Sequence, residues 1–199
     1  MDNRARFIVI DGGEGTGTTT MSKYAAEAKQ MLWTREPGGS PFAEEIRELI
    51  LSDGARHADA ETMFGLFWAA RRDHLVSTVA PAIKAGKSVV CDRFDSSTWA
   101  YQIVAQGQPQ LRDLFWDMRA HYCAGLLPDR YIMLDVEPAI GLARAKGREG
   151  TLTHFDERAM EFHTKVRAGF LEFAKIIKGT TVDAGAPLDA VKKRVLELC

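Results

Sequence analysis

The run Phe7-Ile8-Val9-Ile10-Asp11-Gly12-Gly13-Glu14-Gly15-Thr16-Gly17-Thr18-Thr19-Thr20 constrains this chain more than any other segment. An apolar stretch ends in a glycine-rich turn, and the turn opens onto a helix-forming segment. In that order the three pieces make a phosphate-binding loop, because successive backbone N–H groups and a helix N-terminus then surround a polyphosphate. The pattern G-x-x-x-x-G-K-[ST] fits at Gly12, Gly17 and Thr19, except that Thr18 stands where the pattern has lysine. A Gly/Thr-rich surface turn is the plain alternative, and the strand before the loop and the helix after it speak against it.

Strand-like runs fall at 7–11, 31–34, 88–92, 130–136 and 180–183. The stronger ones are almost continuously apolar, as parallel strands covered on both faces must be. Helical patterns lie between them at 19–29, 42–51, 58–85, 110–124, 138–145, 155–178 and 188–198, and Pro81 is expected to kink or end the long middle helix. This alternation predicts an α/β fold, a doubly wound five-stranded parallel sheet with helices on both faces. Active sites of such sheets lie at the carboxyl ends of the strands. The candidate chemical residues fall at such ends: after Asp11, at Arg35-Glu36-Pro37 and at Asp92-Arg93.

A chain of 199 residues fits one domain that buries about 70% of its unfolded surface. A net charge of −1 supplies no overall basic field, so no nucleic-acid or membrane partner is expected and any polyanion site must be local. No apolar run is long enough to span a bilayer, and no signal-peptide pattern follows Met1. Cys91, Cys123 and Cys199 are an odd, scattered set without metal-ligand spacing, which points to a reducing compartment and a cytoplasmic protein.

Asp92, after an apolar strand, can hold Mg²⁺ or organise a substrate hydroxyl, and the adjacent Arg93 can brace a transferring phosphoryl group. A surface ion pair at a strand end is the simpler reading. Arg35, held before the turn Pro37-Gly38-Gly39, suits clamping of a monophosphate. Phe67 and Arg71 share one helix face, where a ring and a guanidinium can grip a planar base, although Phe67 also suits a core. Arg144, Lys146, Arg148 and His154 cluster around 147–150, either as a basic loop that closes over phosphates or as a solvated charge run.

Together these pieces resemble the thymidylate kinases, nucleoside monophosphate kinases of the P-loop class. The resemblance runs through FIVIDGGEGTGTTT, TREPGGS at 34–40, LFWAARRDHLV at 66–76, DRFDSSTWAYQ at 92–102, PDRYIMLDVEPAIGLARA at 128–145 and FDERAMEFHTKVRAGFLE at 155–172. It is closer to the bacterial branch. It implies a single P-loop nucleoside monophosphate kinase domain over 1–199, with a short lid around 145–155, that phosphorylates dTMP to dTDP with ATP and Mg²⁺ as a homodimer. By position, Gly12, Gly13, Glu14, Gly15, Thr16, Gly17, Thr18, Thr19 and Thr20 would cradle the ATP phosphates, helped by Arg144 and Lys146. Thr19 and Asp92 would serve the metal. Arg35 and Arg93 would hold the dTMP phosphate, Phe67 would stack on the thymine, and Arg71 would donate to its carbonyl. Ser97, Thr98 and Tyr101 would line the base and deoxyribose. Arg93, Asp92, Arg148 and Glu14 would act in catalysis.

The chain departs from the family pattern at several places. Thr18 replaces the loop lysine, Thr153-His154-Phe155-Asp156 stands where the lid usually has D-R-[IF]-E, and Ile103-Val104-Ala105-Gln106 lacks an arginine common after the Y-Q pair. The segment between the first helix and TREP is also short. Three readings therefore stand side by side: a dTMP kinase in which another cation covers for the lysine, a kinase for another deoxypyrimidine monophosphate such as a 5-modified dUMP, and a nucleotide-binding protein with little turnover.

Overall fold

The computed structural model describes residues 4–147 and 158–199. Five strands, β1 (Phe7–Gly12), β2 (Leu32–Arg35), β3 (Val89–Asp92), β4 (Arg130–Asp135) and β5 (Thr180–Asp183), pair in parallel in the order β2-β3-β1-β4-β5. Nine α-helical segments join or follow them among the described residues: α1 (Thr18–Lys29), α2 (Pro41–Leu51), α3 (Ala60–His74), α4 (Ala80–Lys84), α5 (Asp95–Thr98), α6 (Leu111–Tyr122), α7 (Pro138–Lys146), α8 (Met160–Ile176) and α9 (Leu188–Leu198). None is long and apolar enough to cross a membrane.

The central strand is apolar on both faces because both are covered. Phe7 and Val9 point into one core with Phe64 and Trp68 of α3, Phe115 of α6 and Phe170 and Phe173 of α8. Ile8 and Ile10 point the other way, onto Met21 and Ala25 of α1 and Val191 and Val195 of α9. Burying each such side chain stabilises the fold by about 1.5–3 kcal/mol. A third cluster joins Ala43, Ile46 and Ile50 of α2 to Met63 and Ala70 of α3.

Pro81 neither ends nor simply kinks the middle helix. The expected helix over 58–85 is divided: α3 begins after Asp59, whose carboxylate accepts from Thr62 N at 2.6 Å. It then widens into a π turn at Leu75–Val79 and passes, with helical backbone throughout, into α4, so the wider winding falls just before Pro81, which has no N–H to give the preceding turn. A second difference is a helical stretch over 95–105, unpredicted from the sequence, in which α5 passes into a π helix at Trp99–Ala105. Gly169 of α8 lets this stretch approach closely, since a Cβ there would lie 2.7 Å from Ala100 Cα.

Candidate active site

The carboxyl ends of β1, β2 and β3 are brought level by strand pairing, with Ile10 beside Asp92 and Arg35 beside Asp92 on its other side. Over these ends opens a cleft of about 620 Å³, a size typical of small-ligand sites. Gly13, Glu14, Gly15 and Gly17 to Thr20 line one side. Gly15 and Gly17 have φ of +70° and +90°, a region that side chains disfavour, and they turn the chain so that α1 starts with its N-terminus on the cleft. The unpaired N–H groups of that first turn make it an anion site.

Two members of the loop face elsewhere. A Cβ on Gly12 would lie 2.4 Å from the Leu134 carbonyl oxygen, so this glycine serves close packing on β4 and does not line the cleft. Thr16 turns its hydroxyl back to the Gly13 carbonyl at 2.8 Å, again off the cleft wall.

At the end of β3, Asp92 is buried; its Oδ2 accepts from the Thr19 hydroxyl, while Oδ1 has no partner among the described residues. Arg93 takes a left-handed φ of +68°, an uncommon conformation for a residue with a side chain. Its Nη1 donates to the Gly12 carbonyl at 2.7 Å, and Nη2 lies 3.5 Å from Glu14 Oε1. Burial opposes the Arg93 charge, but Tyr101, Glu14, Asp11 and Asp92 outweigh it and hold its pKa above the ordinary arginine value. Tyr101 donates to Glu14 Oε1 at 2.6 Å, and burial, with that carboxylate beside it, pushes the phenol well above its usual pKa.

Beneath them sits Asp11, a residue the sequence places only at a strand end. It accepts from Gly12 N at 2.8 Å, Phe94 N at 3.2 Å, and the hydroxyls of Ser96 at 2.6 Å and Ser97 at 2.9 Å. Burial pushes its pKa up to about 6, against the pull of Arg93 and these donors. Ser97 lines the cleft, but its hydroxyl is spent on Asp11.

The far end of the cleft gathers Arg35, Arg47, Phe67, Arg71 and Gln102. Glu44 joins Arg35 Nη2 at 2.9 Å to the Gly39 N–H at 2.8 Å, fixing the turn after β2. Arg47 donates to the Pro37 carbonyl at 2.8 Å, and burial first, then the nearby Arg35, lowers its pKa. Two such cations beside each other favour an anion between them. Arg71 is 1% exposed, with its Nε on Glu36 Oε2 at 2.9 Å and both terminal nitrogens on Thr98 Oγ1. Thr98 therefore stands behind Arg71 and not on the cleft wall where it was expected: its hydroxyl is turned to the guanidinium. Gln102 is fully buried, and neither amide atom has a partner among the described residues.

Of the basic residues near the expected lid, Arg144 borders the cleft but donates to the Ala184 carbonyl at 2.8 Å. Lys146 is exposed at the end of α7, outside the cleft wall. Arg148, His154 and the expected lid beyond 147 lie outside the described residues. Asp11, Arg47 and Gln102 were not anticipated. A carboxylate closing a wholly apolar strand was a usable signal for Asp11. Arg47 reads as an ordinary helix cation and Gln102 as an ordinary amide until the fold places them.

Comparison with known proteins bears on what this cleft serves. The family model described as thymidylate kinase matches residues 10–195. The thymidylate kinase of Ruegeria pomeroyi is 39% identical over 205 aligned positions, covering 100% of this chain and 96% of that protein. That of Caulobacter vibrioides is 37% identical, covering 96% and 94%. The solved thymidylate kinase of Ehrlichia chaffeensis superposes with a TM-score of 0.74 at 28% identity, covering 98% of this chain and 97% of that one. The family model spans nearly the whole chain and these relatives match it end to end, which leads to one assignment: the chain belongs to the thymidylate kinase family.

Proposed function

We propose that the chain transfers the terminal phosphoryl group of ATP to dTMP, giving dTDP, with the base held between Phe67, Arg71 and Gln102. The observation that carries this reading is Gln102: a fully buried amide facing the cleft with neither atom satisfied. Leaving such a group unpaired costs about 1–3 kcal/mol, which a complementary ligand recovers. The imide edge of a pyrimidine offers one N–H and flanking carbonyls, so it matches an amide that accepts at its oxygen and donates at its nitrogen. Phe67 supplies a face for stacking, and Arg71 retains two N–H donors beyond the three it uses.

In this reading Arg35 and Arg93 hold the acceptor phosphate, with Arg47 beside them. Arg93, tied to the loop carbonyl of Gly12, keeps a positive charge against the transferring group without needing to move. Glu14, braced by Tyr101 and Arg93, lies where it can accept from a sugar hydroxyl. Thr18 offers a hydroxyl but no charge. Arg144, Lys146 and Arg148 would close over the ATP phosphates.

Mg²⁺ fits the donor set, since the orphaned Asp92 Oδ1 is a hard anionic oxygen and the Thr19 hydroxyl sits at the other oxygen of the same carboxylate. Mg²⁺ sites often have just one or two protein oxygens, completed by phosphates and water. When bound, the ion neutralises phosphate charge. Homodimerisation in the cytoplasm completes the proposal: Phe42 and Leu49 are exposed seven residues apart on α2, a stripe that a second copy would cover, whereas Phe64, Trp68, Leu75 and Val79 are spent in the chain's own core.

A coupled assay with ATP against dTMP, dUMP, dCMP and AMP tests the reading. dTMP should be the preferred acceptor, and Gln102→Leu should raise its KM about tenfold, the loss of a buried paired donor and acceptor. Turnover of no pyrimidine monophosphate, in the parent or in Thr18→Lys, would leave a nucleotide-binding protein instead.

A further inference from the structure

Behind the base-facing wall runs a line of buried polar side chains that phosphoryl transfer does not use. Thr34 Oγ1 lies 2.7 Å from His74 Nε2, and His74 Nδ1 lies 2.9 Å from Glu36 Oε1. The other oxygen of Glu36 accepts from Arg71 Nε at 2.9 Å, and Arg71 continues to Thr98. All five side chains belong to residues at most 4% exposed. An ionised carboxylate only accepts, so Nδ1 of His74 donates to Glu36, and Nε2 shares a hydrogen bond with the Thr34 hydroxyl.

This arrangement holds Glu36 by both oxygens, one on Arg71 and one on His74. A carboxylate held at one oxygen alone can rotate about its terminal bond, and its guanidinium partner follows. Held at both, it fixes the Arg71 plane, which is further confined by the Trp68 and Phe94 rings at 4.6 and 5.0 Å. We propose that His74 is a positioning residue for base selection: by holding the second oxygen of Glu36 it fixes Arg71 so that only an N–H donor meets the 4-position of the pyrimidine. A carbonyl there, as in thymine, is accepted, and an amino group, as in cytosine, is refused. The inference rests on Arg71 contacting the base, as proposed above.

A role in filling space is the rival, since the His74 ring also packs on the turn at Gly39, where an added Cβ would lie 2.7 Å from Cδ2. Two amide variants separate the two. Asparagine places its nitrogen near the position of Nδ1 and keeps the donor to Glu36. Glutamine is closer to histidine in volume, but its amide reaches the position of Nε2 and abandons Glu36. Steady-state kinetics with dTMP and dCMP, varying ATP separately, should find His74→Asn within about twofold of the parent. His74→Gln should raise the dTMP KM about tenfold and cut the dTMP-over-dCMP preference similarly, as when a polar selectivity contact is lost, with kcat and the ATP KM little changed.

His74→Gln performing as well as His74→Asn, or a loss spread equally over kcat and both KM values, overturns the proposal. Arg71→Leu is measured alongside. An unchanged base preference in that variant defeats the base-contact reading and the proposal with it, whereas a collapsed preference there but not in His74→Gln defeats the His74 role alone. Should neither His74 variant fold, Thr34→Val, which removes only the hydroxyl on Nε2, decides: a drop in preference of about threefold supports the relay, and no change overturns it.

Discussion

At the end of the cleft proposed to take the base, the positive charge is buried and gripped. Arg71 is 1% exposed, with a carboxylate on one edge and a hydroxyl on the other. At the phosphate-loop end the groups on offer are mostly main-chain N–H donors, Thr18 is neutral, and Lys146 is exposed beyond the cleft wall. Arg93 is the bridge, reaching from the end of β3 to the loop carbonyl of Gly12. If the proposed function holds, selection of the acceptor falls to the buried, tightly paired end, where orientation costs little on binding. Neutralisation of the donor is then left to fewer fixed charges, and the chemical step should feel that shortage before binding does.

Removing Arg93 should therefore do the most damage. Arg93→Ala is expected to cut kcat about 10³-fold, the scale of losing a charge that stabilises a transferring phosphoryl group, with a much smaller change in KM. Steady-state kinetics showing a change confined to KM would move Arg93 to ground-state binding and weaken the contrast. Next comes the reverse experiment. Thr18→Lys adds the missing charge and should raise kcat about tenfold, within the range for one stabilising donor. A neutral or harmful result would mean that another cation, Lys146 or Arg148, already fills that place, and the donor end would be better equipped than it looks.

Phe67→Ala probes the rigid end alone. The dTMP KM should rise about tenfold, in line with 1–3 kcal/mol for a base on an aromatic ring, while ATP affinity holds. Equal losses for both ligands would make Phe67 a core residue shared by the two ends. The smallest effect concerns Asp11, which lies under the bridge. Its folded pKa of about 6 is above its ordinary 3.8, so the folded chain binds that proton more tightly than the unfolded one. The resulting stability is full below pH about 4 and is lost as pH rises through about 6. Urea unfolding should find the parent's advantage over Asp11→Asn larger at pH 5 than at pH 7 by about 1 kcal/mol. An equal advantage at both would mean that Asp11 titrates as an ordinary carboxylate.

The sheet was legible because strands buried on both faces must be apolar throughout, and all five lie within two residues of the expected limits. The loop was legible because its glycines are required by backbone geometry at fixed spacing. The stretch over 95–105 was not, since Asp95-Ser96-Ser97-Thr98 carries poor helix formers and the π winding after it breaks the 3.6-residue period. Gln102 rides on that unread winding, which explains why its place in the pocket went unseen. Thr98 shows the converse: a hydroxyl in a recognisable motif reads as a ligand contact, and only the fold shows the Arg71 guanidinium standing in front of it. Arg47 carried no local signal at all, because only the packing of α2 decides which cation overlooks the cleft.

The phosphate loop and α7 meet backbone to backbone. A Cβ on Gly15 would lie 1.8 Å from the Gly141 carbonyl oxygen, and one on Gly141 would lie 2.2 Å from that of Glu14. These two positions, 126 apart in the sequence, form a single steric unit. Neither can gain even a methyl group unless the helix backs away from the loop. Variation at the two sites is thereby linked across the length of the chain, and a graft that exchanges one without the other inherits a collision.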